Sequence, residues 1–399
     1  MKNHSLVVAV ITFLSMASAA DAKYSGGTGE PNDPYRIATP ENLNDIGNYE
    51  EDWDKHFILI NDVNLAQYSG TQFNIIGRWI WFDSPNNRPF TGIFDGNNHK
   101  IHNFTWVSDR INGVALFGWV GPGSHIKNIG MENVNIINAQ FCVGGLVGYN
   151  ESSRITNCYS TGTIDGSHGV GGLIGYSYEG TITNCYSTGN VSGTDVVGGV
   201  VGSGWGDAIT NCYSTGSVGG GDSAIGGLVG QNNSMITNCY STGSVGGDEQ
   251  VGGLVGINSG TITNCYSTGS ISANYDAAGL VGGNGGTISN CYSTGNVSAT
   301  SDNVGGLVGY GGAVNSFWDI ETSGQLTSAG GEPKTTAEMK EMRTFTDAGW
   351  DFVEIWGIGE NQTYPFLRTD PAGDLDHDRR VDFVDLAIMA MHWLAPNNP

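Results

Sequence analysis

The sequence predicts an all-β chain wound as a right-handed parallel β-helix, a solenoid of about nine coils, and three observations predict it. First, the stretch Ile182-Thr183-Asn184-Cys185-Tyr186-Ser187-Thr188-Gly189 recurs. Its asparagine falls at Asn157, Asn184, Asn211, Asn238, Asn264 and Asn290, in steps of 27, 27, 27, 26 and 26 residues, a period that signals a solenoid. Second, each unit holds three short segments of β character: Gly-Gly-Leu-Val-Gly, Thr-Ile-Thr-Asn-Cys-Tyr-Ser, and a Ser-Val or Asn-Val-Ser piece. Third, 63 of the 399 residues are glycine, whereas a helical solenoid needs long runs of helix formers and few glycines. Degenerate copies at Ile101-His102-Asn103-Phe104, Ile126-Lys127-Asn128-Ile129 and Ala313-Val314-Asn315-Ser316 extend the frame to nine units.

From its start, residues 1–22 read as a secretory signal. Lys2 gives the positive end, Leu6 to Met16 is mostly apolar, and Ala20-Asp21-Ala22 offers a small-x-small cleavage site. The expected location is therefore secreted or at the cell surface of a bacterium. No later segment is apolar enough for a membrane helix, so membrane insertion is not expected. The formal net charge is -23, which makes nucleic acid and anionic membranes poor partners.

Residues 23–138 read as an N-terminal cap with the first coils. Phe57-Ile58-Leu59-Ile60, Phe73-Asn74-Ile75-Ile76 and Phe90-Thr91-Gly92-Ile93-Phe94 are strand candidates, and Pro40 to Ile46 a short helix. A solenoid needs its open end covered, because exposed strand edges template aggregation.

Residues 139–317 hold the repeats. Where regular units have Cys, the degenerate copies place Phe104, Ile129 and Ser316, and where regular units have Tyr they place Thr105, Gly130 and Phe317. The cysteine slot therefore points inward and the tyrosine slot outward. The asparagine marks the bend between them, since asparagine tolerates left-handed geometry. Cys158, Cys185, Cys212, Cys239, Cys265 and Cys291 form one ladder, with Cys142 outside it. Parallel Cβ vectors suit disulfides poorly, so the thiols are expected mostly reduced, as small apolar filler. Tyr159, Tyr186, Tyr213, Tyr240, Tyr266 and Tyr292 form the candidate ligand-binding surface, for a glycan or a surface protein. The bland alternative is a ladder that only stabilises the coils.

The Gly-Gly-Leu-Val-Gly and Thr-Ile-Thr-Asn-Cys-Tyr-Ser-Thr-Gly motifs resemble the GLUG-motif repeat of bacterial exported proteins, over about Val143 to Phe317. The resemblance implies a surface protein. Similar repeats accompany some immunoglobulin-cleaving metallopeptidases, but this chain has no His-Glu-x-x-His motif, so protease activity does not carry over.

Enzyme chemistry finds little footing in the repeats. Arg154 is the only Lys or Arg between Lys127 and Lys334, which leaves a polysaccharide lyase without its basic groups. A glycoside hydrolase needs two facing carboxylates. Asp195, Asp222, Asp248, Asp276 and Asp302 instead occupy about the same turn of successive coils, an acidic edge explained by solvation or by calcium. The alternative to a non-catalytic protein is a carbohydrate-active enzyme whose site lies in the N-terminal region, where Asp62, Asp83 and Asp95 are available.

Residues 318–370 read as a C-terminal cap. Thr335-Thr336-Ala337-Glu338 looks like a capping box opening a helix through Arg343, and Trp318, Trp350, Trp356, Tyr364 and Phe366 supply an aromatic core.

The tail, residues 371–399, carries the sharpest chemistry. Asp374, Asp376, Asp378, Asp382 and Asp385 stand at positions 1, 3, 5, 9 and 12 of a twelve-residue loop, ahead of an amphipathic stretch from Val384 to Leu394. Hard oxygen ligands at that spacing suit calcium. The tail resembles one calcium-loop and helix unit of a dockerin, which implies a cohesin-like partner. It departs from that pattern in having Arg379 where glycine is usual and in showing one unit where dockerins have two. The expected protein is an exported, non-catalytic rod that displays a binding, adhesion or spacer surface and attaches through this motif.

Overall fold

The structure, a computed structural model, describes residues 23–368 apart from 82–83, 108–110 and 301–302. The secretory segment, Asp83, Asp302 and the whole calcium loop lie outside the described residues.

The chain winds as a parallel β-solenoid of about eight turns. Equivalent isoleucines stack in register from one coil to the next, in the order Ile126, Ile155, Ile182, Ile209, Ile236, Ile262 and Ile288. All are buried. A second sheet stacks the strands Phe141–Gly144, His168–Gly171, Asp195–Gly198, Ser223–Gly226, Glu249–Gly252 and Ala277–Ala278. A third stacks the Tyr-Ser pairs and the valines after them. Between these sheets lie continuous columns of buried Leu, Val, Ile and Cys, one member per coil. Each coil thus hides an apolar stripe that it could not bury alone, which is why the units must stack.

The tight corner before each Leu-Val strand depends on glycine. A Cβ on Gly145, Gly172 or Gly199 would overlap the hydroxyl of Ser160, Ser187 or Ser214 respectively. The opposite corner depends on asparagine. Asn128, Asn157, Asn184, Asn211, Asn238, Asn264, Asn290 and Asn315 all adopt left-handed geometry with φ between 47° and 54°. Other L-residues pay a steric penalty there.

The N-terminal copies correct the expected frame. Phe94 pairs with Ile126, whereas Ile101 pairs with Met131. Asn103 therefore belongs to a different corner, where Asn133 donates to it at 2.5 Å and it donates to Asn64 at 2.9 Å. Phe104 is buried but does not occupy the cysteine slot, and Thr105 aligns with Asn135 rather than with the tyrosines.

In the same region a helix forms at Pro40–Asn48, capped by Thr39 and burying Leu43 and Ile46. Strands form at His56–Leu59 and Ile93–Asp95. Residues 73–76 contribute only a bridge, Ile76 to Phe117.

At the other end Tyr292, Phe317, Met339, Phe345, Trp350 and Trp356 build a buried aromatic cluster. The capping box is present: the Thr335 amide donates to Glu338 at 2.8 Å and the Glu338 amide to the Thr335 hydroxyl at 3.3 Å. It opens a single 3-10 turn, Glu338–Lys340, not a helix through Arg343. Glu341 turns extended and a separate helix follows at Met342–Thr346. Among the described residues no helix is long and apolar enough to cross a membrane.

Candidate binding surfaces

The Asn-Cys-Tyr sequence places three side chains on three surfaces. Each cysteine of the ladder is fully buried and none of the seven is bonded to another. Their sulfurs sit 3.1–3.2 Å from the carbonyl two residues back, at Thr156, Thr183, Thr210, Thr237, Thr263 and Ser289. Burial raises the Cys142 thiol well above its ordinary range, and it raises Cys185, Cys239 and Cys265 of the ladder as well.

The asparagines form a second ladder at the bend. Asn157 donates to Asn128 at 3.0 Å, Asn184 to Asn157 at 3.2 Å, and Asn211 to Asn184 at 3.2 Å. The bend residue thus satisfies its amide along the solenoid axis.

Tyr159, Tyr186, Tyr213, Tyr240 and Tyr266 stand half-buried outside the solenoid core as expected, whereas Tyr292 is buried under the C-terminal cap, which corrects the outward expectation there. The six ring centroids are 4.7–5.0 Å apart and their planes within 7° of parallel. At the N-terminal end the ladder stops at Gly130, where a Cβ would overlap the Tyr159 ring. The Tyr159 hydroxyl donates to Glu132 at 2.8 Å. At the C-terminal end Tyr292 is buried beneath Trp350 and Trp356, and its hydroxyl donates to the Pro365 carbonyl at 2.6 Å. Stacking occupies both faces of Tyr186, Tyr213, Tyr240 and Tyr266. What the ladder offers a ligand is ring edges and a row of hydroxyls, not open aromatic faces. Burial pushes the Tyr213 hydroxyl up to about 12, so it stays protonated and can donate.

The acidic edge is staggered. Asp195 accepts from the Ser223 hydroxyl at 3.2 Å, and Ser223 rather than Asp222 pairs with Glu249 in the next coil. Asp195 lies 3.0 Å from the ring nitrogen of His168, while Asp248 and Asp276 accept from Asn274 and Asn303. Among the described residues no three His, Cys, Asp or Glu side chains converge in a way that could hold a metal. In the N-terminal region Asp62 accepts from the Lys100 amide and from His99, and its carboxyl is held below the ordinary range by those bonds. Burial works to raise the Asp95 carboxyl, but the Asn97 amide, Lys127 and Asn128 outweigh it and keep it low. Neither carboxyl is poised as a general acid, which needs a raised pKa. Asp374, Asp376, Asp378, Asp382 and Asp385 lie outside the described residues.

Two features escaped the sequence reading. One is an aromatic cluster over the early coils, in which Trp79 stacks on Tyr149 at 5.8 Å and Tyr149 lies 5.4 Å from Tyr176 and 6.0 Å from Trp119. The tyrosine two residues beyond Leu146-Val147 and beyond Leu173-Ile174, in two successive repeats, was its signal. The other is a buried polar column at the corner occupied by Asn150, Ser177, Asn232, Asn258 and Asn284. The coil between Ser177 and Asn232 has Gly204 there, and Asp207 fills the gap. Its carboxylate accepts from the Ser177 hydroxyl and the Gly180 amide at 2.7 Å each and from Ser234 at 3.1 Å. Burial raises this carboxyl to about 6, against the pull of those bonds.

A parallel β-solenoid built on stacked Asn, Cys and Tyr ladders is the class that this geometry defines. The family model of the GLUG motif matches residues 139–165, 166–192, 221–246, 247–272 and 273–298, so the chain carries GLUG-motif repeats. The unmatched coil at 193–220 keeps Cys212 and Tyr213 in both ladders. A protein described as a Gly-rich membrane protein, from Evansella cellulosilytica, is 52% identical over 68 residues, 16% of this chain and 8% of its own length. Halomucin from Haloquadratum walsbyi is 29% identical over 147 residues, 36% of this chain and 2% of that protein. The match thus spans less than a tenth of either relative. Among solved structures, a protein described as an immunoglobulin A1 protease from Bacteroides ovatus aligns with a TM-score of 0.49 at 20% identity, covering 86% of this chain and 95% of that one.

Proposed function

We propose that this protein is an exported, non-catalytic display rod of a bacterial surface, which presents a binding or adhesion face along its repeats and is attached through its tail. The observation that carries the reading is the unbroken ladder from Tyr159 to Tyr292, held at 4.7–5.0 Å spacing and closed by the aromatic cap. Such a row is a rigid, repeating surface that costs little further ordering on binding. The similarity of its repeats to segments of a Gly-rich membrane protein and of halomucin supports a surface location.

The ladder contacts a glycan or a surface protein through hydroxyls and ring edges. Attachment runs through calcium held by Asp374, Asp376, Asp378, Asp382 and Asp385, an all-oxygen donor set of the kind calcium prefers, and through a cohesin-like partner. The test is retention of the full-length protein on the surface of its producing cells, washed with and without a calcium chelator. The reading expects release by chelator and by Asp374→Ala with Asp376→Ala, and no release from unwashed cells. Retention that ignores both treatments overturns the attachment mechanism.

A further inference from the structure

Between the end of the helix at Pro40–Asn48 and two loops of the early coils lies a groove of about 450 Å³, lined by Trp53, Arg78, Trp79, Ile80, Trp106 and Asn112 among others. This volume falls in the range of small-molecule sites, roughly 300–1,000 Å³. The groove is built on fixed elements. The Trp53 indole donates to the Ile46 carbonyl at 2.7 Å, and Arg78 and Arg88 exchange backbone hydrogen bonds at 2.7 and 2.8 Å to close the loop between them. Gly77 sits at φ +73°, where a Cβ would overlap the Trp119 carbonyl. Asn112 donates to the Ile80 carbonyl at 2.7 Å, which ties the second loop to the first.

Two polar atoms of this lining have no hydrogen-bond partner and are sealed from solvent: the indole nitrogen of Trp106 and the amide oxygen of Asn112. Trp106 as a whole is 6% exposed. A buried donor and a buried acceptor, each left unpaired, are costly and call for a reason. Among the described residues the one cationic group of the lining is already neutralised, since Arg78 lies 2.6 Å from Glu50, which Arg88 also contacts at 3.2 Å. In the lining Ile80 and Ile111 are large apolar side chains left exposed, as are their chain neighbours Trp81, next to Ile80, and Val107, next to Trp106, a concentration that marks an interaction site.

We propose that this groove binds a neutral sugar ring of a glycan. Apolar walls that include the edges of Trp53, Trp79 and Trp106 suit the C–H groups of a pyranose. Each hydroxyl is donor and acceptor at once and a sugar ring carries several, so such a ring can answer either unpaired atom, and among the described residues of the lining no free positive charge favours an acidic sugar. The exposed Ile80 and Ile111 side chains shift to admit the ring. This site is separate from the tyrosine ladder and does not depend on the ladder's role.

The test is titration of the full-length protein with neutral hexasaccharides of β-linked glucose, xylose and mannose, read by calorimetry and tryptophan fluorescence. At least one should bind with a Kd of millimolar or tighter. Trp106→Phe keeps the ring and removes the donor, and should weaken binding about fivefold, the loss of one hydrogen bond. Trp81→Ala, at an exposed rim position, should weaken it as well and guards against a folding defect in the first variant. Tyr213→Ser should leave it unchanged. The proposal is overturned if none of the three binds at about 10 mM, if binding ignores both Trp106→Phe and Trp81→Ala, or if only an apolar probe occupies the groove.

Discussion

The rings of Tyr186 and Tyr213 lie 4.7 Å apart and 4° from parallel, one turn of the solenoid separating them. That spacing is the strand separation within a sheet, so the ladder reports the register of the coils directly. The ring stack is at once a surface feature and part of the packing between turns.

Removing a rung from the middle of the ladder should therefore loosen two contacts. Tyr213→Ala should destabilise the fold by about 2 kcal/mol, the sum of two aromatic pairs and some lost burial. At the buried end, Tyr292→Phe should cost about 1 kcal/mol, the loss of the hydrogen bond to Pro365. Denaturant midpoints measure both.

Asn184 tests the corner. Its left-handed backbone, with φ of 54°, disfavours any residue bearing a Cβ unless the side chain compensates. Asn184→Ala should cost about 1–2 kcal/mol through strain and the lost amide ladder, and Asn184→Gly less than half of that. Equal losses in the two variants would remove the strain argument.

The cysteine ladder should behave as reduced core. A thiol reagent should count seven reactive groups per chain in denaturant without reductant, and none in the native protein. A denatured count of one would show three disulfides instead.

Asp207 should make stability fall as pH rises. Its carboxyl is raised in the folded protein to about 6 from an ordinary value of 3.8. The folded chain thus binds a proton that the unfolded chain releases, and this contribution is full below about pH 3.8 and lost as pH passes 6. Relative to Asp207→Asn, the natural protein should lose ~2–3 kcal/mol between pH 4 and pH 7. Urea melts of both proteins across that range provide the measurement, and parallel pH profiles would contradict it.

The solenoid was legible because its repeats are nearly identical, and because Ile129 and Ser316 fill the cysteine slot in degenerate copies. Those substitutions showed which side chain is core. The same logic failed at Asn103, because a second corner uses asparagine for the same left-handed bend, at Asn103 and Asn133, with Asn64 joined to it by a hydrogen bond. A short Ile-x-Asn match does not say which corner it marks. Five of the six tyrosines lie outside the core as read, and Tyr292 does not because the C-terminal cap covers it. Their mutual stacking, which closes their faces to ligands, follows only from the coil spacing. The Trp106 groove joins segments from Gly47 to Gly113 through loops with no repeat pattern, so nothing in the sequence brought its members together. Asp207 was hidden for a related reason: its role exists because Gly204 leaves a column position empty.

Attachment through the tail is the central functional claim, and calcium titration of the full-length protein by calorimetry tests it most directly. The account predicts one calcium per chain, bound with a Kd of millimolar or tighter, and lost in Asp374→Ala with Asp376→Ala while the β-sheet circular dichroism is unchanged. Absence of calcium binding in the natural protein, or binding that survives the double substitution, would contradict it.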